Sequence, residues 1–463
     1  MTARFSSGLV LCALLIMSFA LVACVSQEGA EMTSTFEEPR TLRELSESYV
    51  SLVLAVGQHD PDYVDAYYGP EEWATAAETE HLGLDTIKER AEVLIAWLEA
   101  NPVPAEHVHE TDHGTEAHSL EILQQRHEFL LKQLQSLVAR ADILGGATMT
   151  FDEESKALYD AVAPPHEEAE FQAILDELES ELPGEGSLIE RYEAFRADFI
   201  ISPDKLDAVF TAAIDACRSR TLEHFDLPEG ESFQVEYVTG EPWSAYNWYQ
   251  GGFQSLIQVN TDLPISIDRA IDLACHEGYP GHHVYNVVRE HHLHQIHGWD
   301  ETTIYPLFSP MSLIAEGSAN YGIEMAFPGD ERVTFERETL FPVAGLDPAR
   351  AEQYYRIQSM VERLGYAGNE AARRYLDGEI SASEATDWLT TYALMSGPLA
   401  ERRVRFIDQY RSYVINYNLG LDMVRHYVEM RASEDPTEEY RWAVFLDLIA
   451  SPRLPSGLQM MHH

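Results

Sequence analysis

The stretch His276-Glu277-Gly278-Tyr279-Pro280-Gly281-His282-His283 constrains the fold more than any other part of the chain, because an apolar helical run meets a Pro-Gly pair there. A helix that offers an imidazole and, one residue on, a carboxylate can place the first on a metal ion and leave the second to accept a proton from water activated by that ion. That pairing is the chemical core of zinc peptidases. Two histidines that share an ion from one helix face are normally four residues apart, and here that position is Pro280. His282 and His283 come six and seven residues after His276. On an undisturbed helix they would lie roughly 9 and 10.5 Å along the axis, at ~1.5 Å per residue, too far to share a tetrahedral ion with it. Proline removes a backbone donor and clashes with the carbonyl four residues back, and glycine tolerates unusual backbone angles. The segment therefore reads as a rerouted motif, H-E-x-x-(Pro-Gly)-H, with His282 and His283 both open as the second ligand. The bland reading is a helix end with polar residues, and two histidines alone do not decide between them.

A third group shifts the balance. Ser309-Pro310 has the form of a helix start, and the helix it predicts carries Ile314-Ala315-Glu316-Gly317-Ser318-Ala319-Asn320-Tyr321. An acid among small and apolar neighbours is costly unless it is paired or metal-bound. Together with the tract Phe253-Gln254-Ser255-Leu256-Ile257-Gln258-Val259-Asn260, these segments resemble the bacterial "domain of unknown function 885" family, which is grouped with the gluzincin zinc peptidases. The resemblance is specific over about residues 200 to 330. It implies that His276 and His282 are zinc ligands, Glu316 the third ligand and Glu277 the general base. The family commonly has a tryptophan after the E-G pair, where this chain has Ser318.

Residues 233–238, 245–250 and 253–260 are rich in aromatic and β-branched types with partial alternation, which predicts a small sheet or ribbon just before the motif helix. In gluzincins a strand at this place forms the wall against which an extended substrate lies, so the resemblance makes Gln254, Gln258 and Asn260 candidate substrate contacts; the bland alternative is a structural hairpin. Peptide hydrolysis also needs a donor for the developing oxyanion, often a tyrosine or histidine in gluzincins. Tyr417 is the candidate taken here, with Tyr413 and Arg411 as alternatives.

Residues 1–24 have a short basic start, an apolar run too short for a comfortable membrane span, and Leu21-Val22-Ala23-Cys24. They resemble a bacterial lipoprotein signal. By that resemblance Cys24 is lipidated, the protein is exported and lipid-anchored, and Val25, which is not an aspartate, favours the outer membrane or cell surface. Of the remaining cysteines, Cys12 lies in the signal, while Cys217 and Cys275 could pair in an oxidising compartment but are too few to define a framework. The formal net charge of -47, with lysine only at Lys88, Lys132, Lys156 and Lys205, repels nucleic acid and anionic membranes and suits a salty habitat. The tract His291-His292-Leu293-His294-Gln295-Ile296-His297 reads as a polar helix face or loop more readily than as a metal site.

Helical spacing dominates elsewhere. It predicts helices near 41–56, 86–100, 119–144, 152–162, 166–182 and 188–199, one after Ser202-Pro203 that runs past Cys217, and a second helical half from 349 to 410. The expected organisation is a signal (1–24), a linker (25–40), one catalytic domain (41–454) and a disordered tail (455–463). Within the domain come a helical half (41–228), a sheet and metal-site region (229–330) and a second helical half (331–454). The expected fold is mainly α, a zincin-like helical metallopeptidase with a small β-sheet beside the catalytic helix, cutting short peptides with zinc. A zinc amidase or esterase acting on a small molecule, and an inactive metal-binding lipoprotein, are the alternatives.

Overall fold

In the computed structural model, residues 36–103 and 120–458 are described. The signal, Cys24 and the end of the tail lie outside them. Among the described residues the chain is mainly helical, and the helix starts follow local chemistry. Thr41 caps Leu42–Gly57 by accepting from the Glu44 amide. Reciprocal Ser/Thr and Glu pairs start Phe151–Tyr159, Leu188–Ala197 and Ala382–Tyr392, each satisfying amides that would otherwise lack partners. The long helix Leu120–Leu144 buries Leu130, Leu134, Leu137 and Ala141 at three- and four-residue spacing, with the buried stripe Ile87, Ala91, Leu94 and Leu98 of Leu84–Ala100 beside it.

Two predicted boundaries move. The helix expected to reach residue 162 stops at Tyr159, because Asp160 adopts a left-handed backbone (φ 52°) and its carboxylate is held by Lys132 and Lys156. The tail expected to be disordered from residue 455 instead makes a short helix, Pro455–Leu458. Leu458 is buried, and the Ser456 amide donates to Asp160.

The turn-rich segment around residue 65 contains a strand, β1 (Val64–Tyr67), paired antiparallel with β5 (Ile304–Pro306) across a bulge. A four-residue strand is too short to show a period, so the sequence reads only as loop. The predicted sheet forms from β2 (Ser232–Val238), β3 (Ala245–Gly251) and β4 (Gln254–Asn260) in the order β2-β4-β3. β4 is parallel to β2 and antiparallel to β3, so both of its edges are already hydrogen-bonded. Phe210 from the helix Leu206–Leu222 and Leu273 from Asp268–Leu273 pack with Ile257 and Val259 of β4.

The helices Pro310–Ala326 and Ile415–Ala432 form the central pair and touch backbone to backbone. A Cβ on Gly317 would lie 2.4 Å from the carbonyl oxygen of Gly420, and one on Gly420 would lie 2.7 Å from that of Leu313. This close approach accounts for the small residues after Glu316. Ser318, at the family's tryptophan position, is buried and donates to the Ala315 carbonyl at 3.1 Å. Cys217 and Cys275 are disulfide-bonded, with Cα atoms 5.6 Å apart and 58 residues of separation. No described helix is long and apolar enough to cross a membrane.

Gly317→Ala should force the central pair apart and cost about 2–3 kcal/mol, as overpacking does. A urea unfolding midpoint equal to that of the parent would show that the pair has room the geometry does not indicate.

Candidate metal centre

Asp268–Leu273 begins as an ordinary α-helix and widens at Ala274–Gly278 into a π turn that carries His276 and Glu277. The Tyr279–Pro280 peptide is cis, and the Gly281 amide donates back to the Cys275 carbonyl at 2.9 Å. A Cβ on Gly281 would sit 1.8 Å from the His276 oxygen, so only glycine fits. The chain then starts a new helix at His282, running to Arg289. The proline ring rests against Gly322 of the central pair, where a Cβ would come within 2.9 Å of it. By this reversal the six-residue spacing that a straight helix forbids becomes a contact, with the Nε2 atoms of His276 and His282 3.1 Å apart.

Glu316 completes the group. Its Oε2 lies 3.2 Å from His276 Nε2 and 3.6 Å from His282 Nε2, and ligand atoms of the three residues all fall within 4.8 Å of one another. The surroundings leave those atoms facing inward. Asn320 donates its amide N–H to the Tyr417 carbonyl at 3.1 Å, which turns its Oδ1 toward His276 Nδ1 at 2.9 Å. A proton on Nδ1 satisfies that bond and leaves a lone pair on Nε2, the tautomer a metal ligand needs. Tyr413 donates to Glu316 Oε1 at 2.7 Å, while Oε2 is buried without a hydrogen-bond partner. Two imidazoles and one carboxylate, each steadied by a second group, fit a tetrahedral divalent ion of the zinc type.

The carboxyls respond to burial and to one another. Burial alone would raise Glu316, yet the adjacent imidazoles of His276 and His282 hold it well below the usual range. Glu277, also buried, is pushed up to about 7 by desolvation, against the pull of His282 and with the charge of Glu316 adding to it. Asn247 of β3 donates to the Glu277 carbonyl at 2.7 Å and pins that residue to the sheet. Both side chains line a cavity of about 890 Å³ that also contains His276, His282, Tyr413 and Tyr417.

The geometry separates the candidates that the sequence left together. His283 turns away into the core, where Nδ1 meets Ser255 Oγ at 2.9 Å and Nε2 meets Glu231 Oε2 at 3.0 Å, so both ring nitrogens are engaged. Tyr413 is occupied as the partner of Glu316. Tyr417 lines the cavity, and burial together with the charge of Glu316 raises its hydroxyl well above the usual value, keeping it a donor. Arg411 lies outside the site; its Nε donates to the buried Glu154 at 2.7 Å.

The expected substrate wall on β4 fails, because the central strand has no free edge. Gln254 bonds Ser232 and the Gly230 carbonyl, Gln258 bonds Trp248 and Glu236, and Asn260 bonds the carbonyls of Glu241 and Trp243. None of the three lines the cavity. β3, paired among the described residues only with β4, does so through Ala245, Tyr246 and Asn247. The tract 291–297 lies mostly on a π turn, Glu290–Ile296, and contributes no ligand group among the described residues.

Asp65 of β1 is a cavity residue that sequence reading missed. Its carboxylate accepts from Tyr246, and burial raises it to about 6 despite that bond and His282. An acid in a run of tyrosine, valine and alanine, 63–67, was the available signal. Asn320 was also within reach, standing one helical turn after Glu316.

No family model and no curated protein matches the chain. Among solved structures, the chain is similar to a candidate lipoprotein from Colwellia psychrerythraea at 15% identity and a TM-score of 0.48, over 87% of this chain and 76% of that one. It is similar to BsuCP at 10% identity and a TM-score of 0.45, over 88% and 89% of the two chains. A candidate lipoprotein of unknown function from Shewanella oneidensis follows at 12% identity and a TM-score of 0.40, over 87% and 82%.

The different surroundings of His282 and His283 give them opposite costs. His283→Ala empties a fully buried site and removes one of the partners of Glu231, which keeps Arg218 and Tyr279, so it should lower stability by about 2–3 kcal/mol, whereas His282→Ala should cost less than about 1 kcal/mol in metal-free protein. Urea unfolding in chelator measures both, and equal losses would reverse the assignment.

Proposed function

We propose that the chain is an exported zinc-dependent hydrolase of the gluzincin kind, anchored through a lipidated Cys24 at the outer membrane or cell surface, which cleaves short peptides. The observation that carries this reading is the convergence of His276, His282 and Glu316 beside the buried carboxyl of Glu277 in one cavity. The alternative without catalysis, a metal-binding lipoprotein, has no use for a carboxyl held at that place.

An ion held by His276, His282 and Glu316 would supply Lewis-acid polarisation and make a water molecule easier to deprotonate. Glu277 accepts the proton as water attacks the peptide carbonyl, then delivers it to the leaving amine. A carboxyl held near neutrality suits both transfers, since a much stronger acid would be a poor base. Tyr417 donates to the developing oxyanion. Asn320 and Tyr413 hold His276 and Glu316 in place. The edge strand β3 takes the role first expected of β4, offering backbone groups to an extended substrate, and a cavity of about 890 Å³ suits a short peptide.

Metal content and turnover on a mixed peptide pool, measured on protein lacking residues 1–24, test the reading. The parent should hold about one zinc, Glu316→Ala much less, and Glu277→Gln should keep its zinc while losing ~100-fold or more in rate. A parent that binds no zinc when it is supplied would sink the proposal. Zinc binding with turnover of simple esters or amides alone would move the substrate to small molecules.

A further inference from the structure

In a chain with a net charge of -47, an arginine seldom lacks a carboxylate neighbour. The cavity wall shows the pattern. Arg269 and Arg332 pair with Asp272 at 3.1 and 2.7 Å, Arg363 with Glu177 at 2.6 Å, and Arg425 with Glu324. Arg402 and Arg403, on the helix Gly397–Tyr410, line the same cavity with no carboxylate within ion-pair distance among the described residues.

Arg403 is the deeper case. Its Nε is buried without a hydrogen-bond partner, and its guanidinium carbon lies 4.8 Å from the Phe406 ring centre and 5.7 Å from that of Tyr417. Stacking on two rings holds the fork in place but satisfies none of its N–H donors. Burial without a carboxylate partner holds the guanidinium below its usual pKa, against the opposing influence of Tyr417 and Glu316. The side chain as a whole is half-buried, and a guanidinium at a cavity wall with no carboxylate partner among the described residues is open to a partner that arrives from outside. A planar guanidinium favours a carboxylate, which it can bind through two parallel hydrogen bonds.

Position narrows the ligand further. Tyr413 touches Glu316, its ring centre is 5.8 Å from that of Tyr417, and Arg403 lies beyond Tyr417. Two rings in succession, Tyr413 and Tyr417, thus separate Glu316 from Arg403 within the same cavity, so one substrate can meet both the ligand cluster and the guanidinium. We propose that Arg403 binds the free C-terminal carboxylate of a peptide, so that the substrate is recognised from its C-terminal end. This rests on the hydrolase reading above, and it adds the end from which the substrate is recognised.

The test uses zinc-loaded Glu277→Gln protein, which separates binding from turnover. Calorimetry compares one tetrapeptide as the free acid, as the C-terminal amide, and as the amide with an aspartate at its last position. The free acid should bind about 10-fold or more tighter than the plain amide, and Arg403→Gln should abolish the difference. Arg403→Lys, which keeps the charge without the fork, should restore part of it and guards against a folding defect in the glutamine variant. Arg402→Gln should keep the preference. Equal binding of acid and amide, a preference lost in Arg402→Gln but kept in Arg403→Gln, or an aspartate amide that binds as well as the free acid would overturn the proposal. A preference for the acid that depends on Arg403, in a parent that hydrolyses none of these peptides, would instead overturn the hydrolase reading and leave the carboxylate site standing.

Discussion

Everything in the site depends on one backbone contact, the Gly281 amide folded back onto the Cys275 carbonyl at 2.9 Å. It brings together two imidazoles that a continuous helix would hold apart. The contact is enforced from several sides: Gly281 has no room for a side chain, Pro280 seats against Gly322, and Cys275 is tied through its disulfide to the helix Leu206–Leu222. By the chain-entropy relation, a cross-link closing 58 residues contributes on the order of 4 kcal/mol. Part of that constraint acts one residue before a proposed ligand. The positions of His276 and His282 therefore follow from the fold rather than from an ion, which is the condition for a preorganised site.

Glu316 depends on a second constraint of the same kind. The contact of Gly317 with Gly420 lets two helices meet at backbone distance, and this places Tyr417, in the first turn of Ile415–Ala432, and Tyr413, in the turn Arg411–Val414 just before it, within reach of the ligand cluster. Asn320 closes the loop, since it bonds His276 on one side and the Tyr417 carbonyl on the other. Moving the helix pair would therefore disturb an imidazole tautomer and a carboxylate orientation together. This explains why small residues surround Glu316, and why a large ring at Ser318 would have to find space in a region already packed backbone to backbone.

The helical character, the small sheet and the grouping of His276, His282, Glu277 and Glu316 were legible because each is written in local chemistry: apolar spacing, a proline where a ligand was expected, an acid among small residues. The choice between His282 and His283 was not, because adjacent residues differ only in which way the restarted helix turns them. Strand order was equally hidden. Nothing in the residues 253–260 tells whether they lie at an edge or in the middle of a sheet, and on that distinction the roles of Gln254, Gln258 and Asn260 failed. Asp65 escaped because its strand is four residues long and its partner strand lies far along the chain. Arg411 looked like a cavity residue by type and place, but a positive φ of 52° and the buried Glu154 turn it elsewhere.

Charge links the surface to the site. Glu277, Glu316 and Asp65 line the same cavity, and the charge of Glu316 raises both of the other two carboxyls. Two imidazoles offset part of this, so in the proposed reading a divalent ion supplies the remaining positive charge where the ligands converge. The same ion would use up the negative charge of Glu316 that Arg403 now faces across Tyr417, leaving that guanidinium still less compensated. Metal and substrate carboxylate would then bind cooperatively through charge alone, each improving the field for the other without any movement of the chain. An acidic exterior does not oppose this, because surface charges are screened over about 8 Å at physiological ionic strength while a half-buried guanidinium inside the cavity is screened less. For the proposed anionic peptide, the long-range field would slow the approach and the short-range field would decide where its end comes to rest.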